Sequence, residues 1–202
     1  MRKSTYILIG LVVLFCGSLQ AQPRLKAPQI WIGAHGGVTA SSVMFNPSDG
    51  TSILESCVLG GNGGFVFRYA GHKYCHFQME LNYEHRGWTK NGTANSLHYL
   101  ELPIMMNLNF GSEICRWFWN LGPQIGVCIV DETKTIDHRI DWGLMTGTGF
   151  YIQTKNAGVY QLEVRFDFSL GGIYGTKVTD YYSMASPMDL SINLGYLIPI
   201  RK

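Results

Sequence analysis

From Gly158 to Gly171 the chain reads GVYQLEVRFDFSLG, and no other stretch limits the possible folds so tightly. Tyr160, Leu162, Val164, Phe166, Phe168 and Leu170 alternate with Gln161, Glu163, Arg165, Asp167 and Ser169. Successive side chains of an extended strand point to opposite faces, so one face here is apolar and the other polar or charged. One such strand fits many sheets. Its recurrence along the chain calls for a sheet with one greasy wall and one ionic wall.

Seven further segments carry the pattern. Ile30 to Val38 sets Ile30, Ile32 and Ala34 against Gly33, His35 and Gly37; Leu59 to Ala70 sets Phe65, Phe67 and Tyr69 against Gly60, Asn62, Gly64 and Arg68. Cys75 to Gly87 places Phe77, Met79, Leu81 and Tyr83 opposite His76, Gln78, Glu80, Asn82, Glu84 and Arg86. His98 to Phe110 places Leu100, Leu102, Ile104, Met106 and Leu108 opposite Glu101, Asn107 and Asn109, and Pro103 predicts a bulge because it cannot donate to the ladder. Trp117 to Ile129, Asp141 to Gln153 and Met188 to Ile200, which carries Asp189, complete the set. Each has about the length that a tilted strand needs to cross a bilayer.

The connections lengthen and shorten in turn. Thr39 to Val58, Trp88 to Leu97, Val130 to Ile140 and Gly172 to Pro187 are long; Gly71 to Tyr74, Gly111 to Arg116 and Thr154 to Ala157 are short. Short turns on one side and longer loops on the other are the habit of outer-membrane barrels, with both termini on the periplasmic side. The reading is therefore all-β: an eight-stranded antiparallel up-and-down transmembrane β-barrel.

A soluble lipocalin-like ligand-binding barrel, apolar inside, would show the same alternation. Lysine argues against it: Lys3, Lys26, Lys73, Lys90, Lys134, Lys155, Lys177 and Lys202 all fall outside the predicted strands, whereas a water-facing wall would carry several. Aromatics of the apolar face also gather near strand ends, Tyr69, Phe110, Trp117, Trp119 and Tyr160 at one rim, Tyr83 and Trp142 at the other, as in interfacial girdles.

Arg2 and Lys3, the apolar run from Tyr6 to Phe15 and the small and polar residues ending at Ala21 have the layout of a secretory signal peptide. The expected division is residues 1–21 as leader and 22–202 as one barrel domain. Acylation at Cys16 is the alternative, disfavoured by the bulk of Phe15. Beyond the leader no apolar run approaches the ~20 residues of a membrane helix. With 24 Gly, 13% aromatic and only 15% charged residues, the chain is too polar for helices in lipid and too sparsely charged for an ordinary soluble domain. A formal charge of +2 points to no nucleic acid and no acidic partner.

Four pieces, Ile32 to Ser41 (IGAHGGVTAS), Phe77 to Gly87 (FQMELNYEHRG), Tyr99 to Met106 (YLELPIMM) and Leu121 to Ile129 (LGPQIGVCI), resemble in order and style the PorT-like outer-membrane β-barrel family of Bacteroidetes. The likeness spans nearly all of the chain after the leader, and Tyr-Leu-Glu-Leu-Pro followed by Leu-Gly-Pro is its most specific part. It implies an outer-membrane barrel and, for the family's namesake, a role connected with type IX secretion. The ending Ile-Arg-Lys departs from the terminal aromatic common in barrel assembly signals, and Tyr196 can stand in for it.

Eight strands enclose a space just wide enough for side chains. Parity sends Arg68, Arg86 and Arg165 inward with Glu80, Glu84, Glu101, Glu163, Asp167 and Asp189, so arginine–carboxylate contacts with some shared protons or water are expected. The bland reading is a network that fixes strand register; the sharper one is a narrow cation or small-solute path. His85 and His98 fall on the apolar side as candidate cross-strand neighbours with Ser96 close by, an arrangement that admits a lipid-modifying enzyme. No catalytic residue, cofactor or metal is assigned: the remaining histidines, His35, His72, His76 and His138, lack ligand spacing. Cys75 with Cys115 and Cys57 with Cys128 are the disulfide pairings that strand direction allows, free thiols being the equal alternative. Asn91-Gly92-Thr93 reads as a loop turn rather than a glycosylation site. The expected role is non-enzymatic: a monomer surrounded by outer-membrane lipid and lipopolysaccharide, meeting envelope or secretion proteins through Thr39 to Val58 and Gly172 to Pro187.

Overall fold

The structure is a computed structural model that describes residues 29–46, 57–72, 74–90, 93–112, 114–131, 138–154, 158–171 and 184–201. The expected leader 1–21 and Cys16 lie outside the described residues, as does Asn91-Gly92 of the turn sequence. Eight strands, β1 (Gln29–Asn46), β2 (Val58–Ala70), β3 (Cys75–Lys90), β4 (Thr93–Gly111), β5 (Cys115–Asp131), β6 (Ile140–Thr154), β7 (Gly158–Ser169) and β8 (Met184–Arg201), form a closed barrel. Every pairing is antiparallel and joins neighbours in the chain, except the seam where β8 returns to β1. Closure leaves no edge strand with unpaired backbone groups, a requirement for any sheet immersed in hydrocarbon.

The wall is turned with its grease outward. On β7, Leu162 and Val164 are 48% and 44% exposed, while Glu163 and Arg165 between them are 1% and 3% exposed. The same holds around the ring: Phe77, Leu102, Ile125, Leu144 and Ile192 face out, and Gln78, Glu101, Gln124 and Asn193 face in. A soluble barrel cannot present this surface to water, so the lipocalin-like alternative is set aside. At the end where β1 begins and β8 finishes, Tyr160 packs at a tilt against Tyr196 and Phe110 stacks on Trp117, with ring centroids 5.0 and 5.9 Å apart. On the outer wall, the Trp119 indole N–H donates to Thr146 Oγ1 at 2.8 Å, and the Thr146 hydroxyl donates to the Asn120 carbonyl at 3.2 Å.

Several boundaries depart from the sequence reading. Thr39–Asn46 continues β1 and Met184–Pro187 begins β8, so the two long loops shrink to residues 47–56 and 170–183, most of which lie outside the described residues. Trp88 to Leu97 is not a loop: β3 and β4 continue as a paired ribbon, Trp88 opposite Asn95 and Lys90 opposite Thr93. Lys90 thus ends a strand, and the other lysines lie outside the described residues. Alternation weakens in these extensions because both sides of the ribbon become partly covered; Ser41 and Ser42 are both buried.

Pro103 causes no bulge. Met79 faces Ile104 and Asn82 faces Glu101 in unbroken register, and the shift between β4 and β5 falls at His98/Tyr99 instead. Of the two states open to the cysteines, the structure has the free thiol at Cys57, Cys75, Cys115 and Cys128. Cys75 lies opposite Leu108, which in turn faces Trp119, leaving Cys115 further along β5; Cys57 bridges to Trp88 while Cys128 faces Tyr99.

Candidate functional site

The barrel interior is the site to which the inward residues belong, and it is layered. Each layer is built by one or two residues from each strand, because period-two alternation delivers every second side chain to the lumen. At the terminal end Trp31, Val66, Ala70, Phe118, Tyr151, Val159 and Leu197 form an apolar cluster. At the loop end Val43, Trp88, Leu97, Tyr99 and Cys128 form a second. Ionic and amide side chains fill the space between.

Nearest the terminal end, Arg68 lies 6.0 Å from the Phe118 ring centroid and 5.6 Å from that of Tyr151, a cation–π seat. It donates to Gln78 Oε1 and Gln161 Oε1, each at 2.7 Å. Arg116 and the Tyr151 hydroxyl both donate to Asn109 Oδ1 at 3.1 Å. In the middle, Arg165 reaches Glu80 through both terminal nitrogens and Glu163 Oε2 at 2.9 Å. Asn82 Nδ2 donates to Glu80 Oε2 at 2.9 Å, and His35 Nε2 lies 3.3 Å from the same oxygen. Asn120 completes Glu163 with a donation of 2.8 Å.

Towards the loop end Arg86 gathers four carboxylates: Glu84 at 3.0 Å, Glu101 at 2.7 Å, Asp141 at 3.1 Å and Asp189 at 2.7 Å. Its guanidinium lies 5.1 Å from the Tyr99 ring centroid. Thr39 donates to Glu84 Oε1 at 3.0 Å and Ser169 to Asp141 Oδ2. Asp167 lies beside this group on β7, opposite Asp189 on β8.

Arg68, Glu80, Glu84, Arg86, Glu101, Glu163, Arg165, Asp167 and Asp189 are therefore all buried in the lumen, the carboxylates in two storeys around Arg165 and Arg86, with Arg68 apart from them on Phe118 and Tyr151. Sequence reasoning missed Asp141 and Arg116. Both are first or second residues of a strand, where the alternating run that reveals parity has barely begun. Their sidedness could have been found by extending the neighbouring inward positions, Gly143 and Phe118, back by one pair. Among the described residues the interior holds four arginines (68, 86, 116, 165) and seven carboxyl groups (80, 84, 101, 141, 163, 167, 189), so carboxyls outnumber arginines by three. Two small cavities of about 10 Å³ occur in this filling, one lined by Trp31, Arg68 and His76, the other by His35, Glu84 and Asp167. Each has room for about one water. Among the described residues no grouping of His, Cys, Asp and Glu suits a metal ion.

On the outside of the wall, His85 and His98 do face one another across β3 and β4, stacked with centroids 4.8 Å apart. His85 Nε2 and Ser96 Oγ are 2.5 Å apart, and His98 Nδ1 and Tyr83 Oη are 2.6 Å apart.

A closed ring of eight antiparallel strands with an apolar exterior and an ionic lumen defines a transmembrane β-barrel of the outer-membrane class. Residues 20–175 match the family described as outer membrane protein beta-barrel domain, and the chain belongs to that family. It is a protein of the bacterial outer membrane. Solved structures of similar fold include OprG from Pseudomonas aeruginosa, at 12% identity and a TM-score of 0.56, covering 89% of this chain and 99% of that one. AlkL, determined in lipid bilayers, is similar at 11% identity and a TM-score of 0.51, covering 91% and 98%. Neisserial surface protein A is similar at 10% identity and a TM-score of 0.50, covering 83% and 96%. No curated protein matches the chain.

Proposed function

We propose that this chain is a non-enzymatic, monomeric barrel that works through its surface, in envelope structure, surface interaction or assistance to secretion, and not by passing solutes. One observation carries the reading: the lumen is filled by side chains, with Arg86 and Arg165 paired to carboxylates, and is stoppered by an apolar cluster at each end. A solute would have to part Arg86 or Arg165 from buried carboxylate partners, at several kcal/mol per ion. Residues 1–21 act as the export leader, the end with the termini faces the periplasm, and residues 47–56 and 170–183 meet partners outside. The PorT-like pieces, Tyr99 to Met106 with Leu121 to Ile129, support membership of that narrower group.

Planar-bilayer recording of the refolded barrel tests the reading. Conductance indistinguishable from background is expected; discrete openings would overturn it. A chromosomal deletion then separates the roles, since loss of secretion or adhesion with unchanged permeability and unchanged lipid mass fits a surface role alone.

A further inference from the structure

The outer wall is apolar nearly everywhere, but where β3 and β4 approach the loop end it carries Tyr83, His85, Ser96 and His98 side by side. Each imidazole shares one short hydrogen bond with one hydroxyl. A hydroxyl that accepts from an imidazole still has its own O–H to give, so the quartet can turn two O–H donors, Tyr83 and Ser96, toward a single multivalent acceptor. The apolar side chain of Val130, 46% exposed, lies directly opposite His98 on β5, and Leu59, 78% exposed, stands on β2 on the other side. Polar groups facing out of such a wall belong at headgroup depth, where an acceptor from the lipid can reach them.

The same strands lead straight from this quartet into a groove. Gly63 faces Tyr83 and Phe65 faces Leu81, one step further from the loop end. There an open apolar cavity of about 630 Å³ lies on the wall, lined by Ile32, Ala34, Phe65, Leu81, Leu102 and Tyr196. Between quartet and groove the outward positions are glycines. A Cβ at Gly61 would find its nearest neighbour 3.8 Å away, at Gly36 3.5 Å and at Gly63 3.4 Å, so the chain's own packing does not demand glycine there. What the missing side chains leave is a smooth path for an external chain.

We propose that this part of the wall is a lipid-binding site: the Tyr83 and Ser96 hydroxyls, oriented by His98 and His85, donate to the phosphate of a phosphorylated saccharolipid headgroup, and one of its acyl chains lies over Gly63 and Gly36 into the groove. The proposal rests on the reading that the β3–β4 ribbon end faces the outer leaflet. Because every lipid-exposed surface of a barrel is covered by lipid, the occupant is a membrane lipid, and phosphate is the acceptor that such a cluster of donors selects.

The test uses the refolded full-length barrel in phosphatidylcholine nanodiscs doped with diphosphorylated lipid A, with retained lipid counted by native mass spectrometry. Wild type is expected to retain lipid A over phosphatidylcholine. His85→Phe/His98→Phe, which keeps the stack and removes the nitrogens that orient the two hydroxyls, should lower that preference about tenfold, the scale of losing a charge-assisted hydrogen bond. Gly63→Leu should lower it by obstructing the acyl path, and His72→Phe at the opposite end should leave it unchanged. A heat-modifiable band on gels verifies that each variant is folded. Unchanged preference in folded His85→Phe/His98→Phe overturns the proposal, as does displacement of lipid A by millimolar inorganic phosphate, which would mark a site for soluble anions. Loss of an acyl chain from lipid A that stops in Ser96→Ala would replace binding with hydrolysis and overturn it too. Failure of the wild type to enter nanodiscs would instead strike at the membrane reading of the wall.

Discussion

Arg165 and Glu80 meet across the full width of the lumen, Nη1 2.9 Å from Oε2 and Nη2 3.0 Å from Oε1. Their strands, β7 and β3, are opposite staves of the ring and share no backbone hydrogen bond. A forked, two-point ion pair has a narrow tolerance in distance and angle, so it acts as a strut that sets the bore and holds two distant strands in register. Adjacent strands are fixed by their ladders; opposite ones are fixed by side chains such as these.

Removing one end of the strut leaves a charge with no solvent. Arg165→Ala or Glu80→Ala should destabilise the barrel by about 3–5 kcal/mol, whereas Glu80→Leu/Arg165→Met should recover part of the loss, Glu163 then keeping only the Asn120 and Gln161 amides. Urea unfolding in lipid vesicles measures both. A double variant as unstable as the singles would deny the pair its structural role.

The direction of the wall makes a prediction of opposite sign to that of any soluble barrel. Val164 lies mid-strand on the outer face, 44% exposed. Val164→Arg should cost about 2–4 kcal/mol in lipid, the penalty for a cation near the bilayer midplane. Partition of folded protein between vesicles and buffer reports it, and a neutral effect would contradict the orientation.

Glycines on the two faces should respond differently to one added methyl. At Gly122 a Cβ would intrude on the Ile104 carbonyl oxygen, a backbone atom that cannot rotate away. Gly122→Ala should therefore lose about 1–3 kcal/mol or fail to assemble, as overpacked sites do. Gly61→Ala, with its nearest neighbour at 3.8 Å, should match wild type. The fraction of heat-modifiable protein after refolding distinguishes the two.

Trp119 places its indole N–H on the lipid side, where Thr146 is its acceptor. Thr146→Val should cost about 1 kcal/mol, in the range for side-chain hydrogen bonds in membranes. Trp119→Phe should cost a similar amount, and the two together less than their sum. Additive losses would mean that the residues act independently.

Much of this architecture is written in the alternation itself. The eight spans, their antiparallel order and the burial of Glu163, Arg165 and Asp167 follow from parity, because in mid-membrane each side of a strand meets a single solvent. Parity loses its meaning where both sides are covered or both are wet. That is why Thr39–Asn46 and Trp88–Leu97 looked like loops, and why Asp141, at the start of β6, escaped notice as a partner of Arg86. Pro103 misled for another reason: the lack of a donor at one position does not oblige a ladder to shift, and the register passes through it unchanged. Which carboxylate meets which arginine was illegible, since those contacts cross the lumen between strands far apart in the chain.

The seam between β1 and β8 carries a consequence for biogenesis. Gln29–Asn46 finds its second partner only in Met184–Arg201, so the ring stays an open sheet until the final stretch of polypeptide has been delivered. Asp189, one of the anions around Arg86, arrives on that same last stave. Zipping the cylinder shut and setting the fourth carboxylate against Arg86 are thus a single event, and a chain cut short before β8 would be left both unsealed and without that contact.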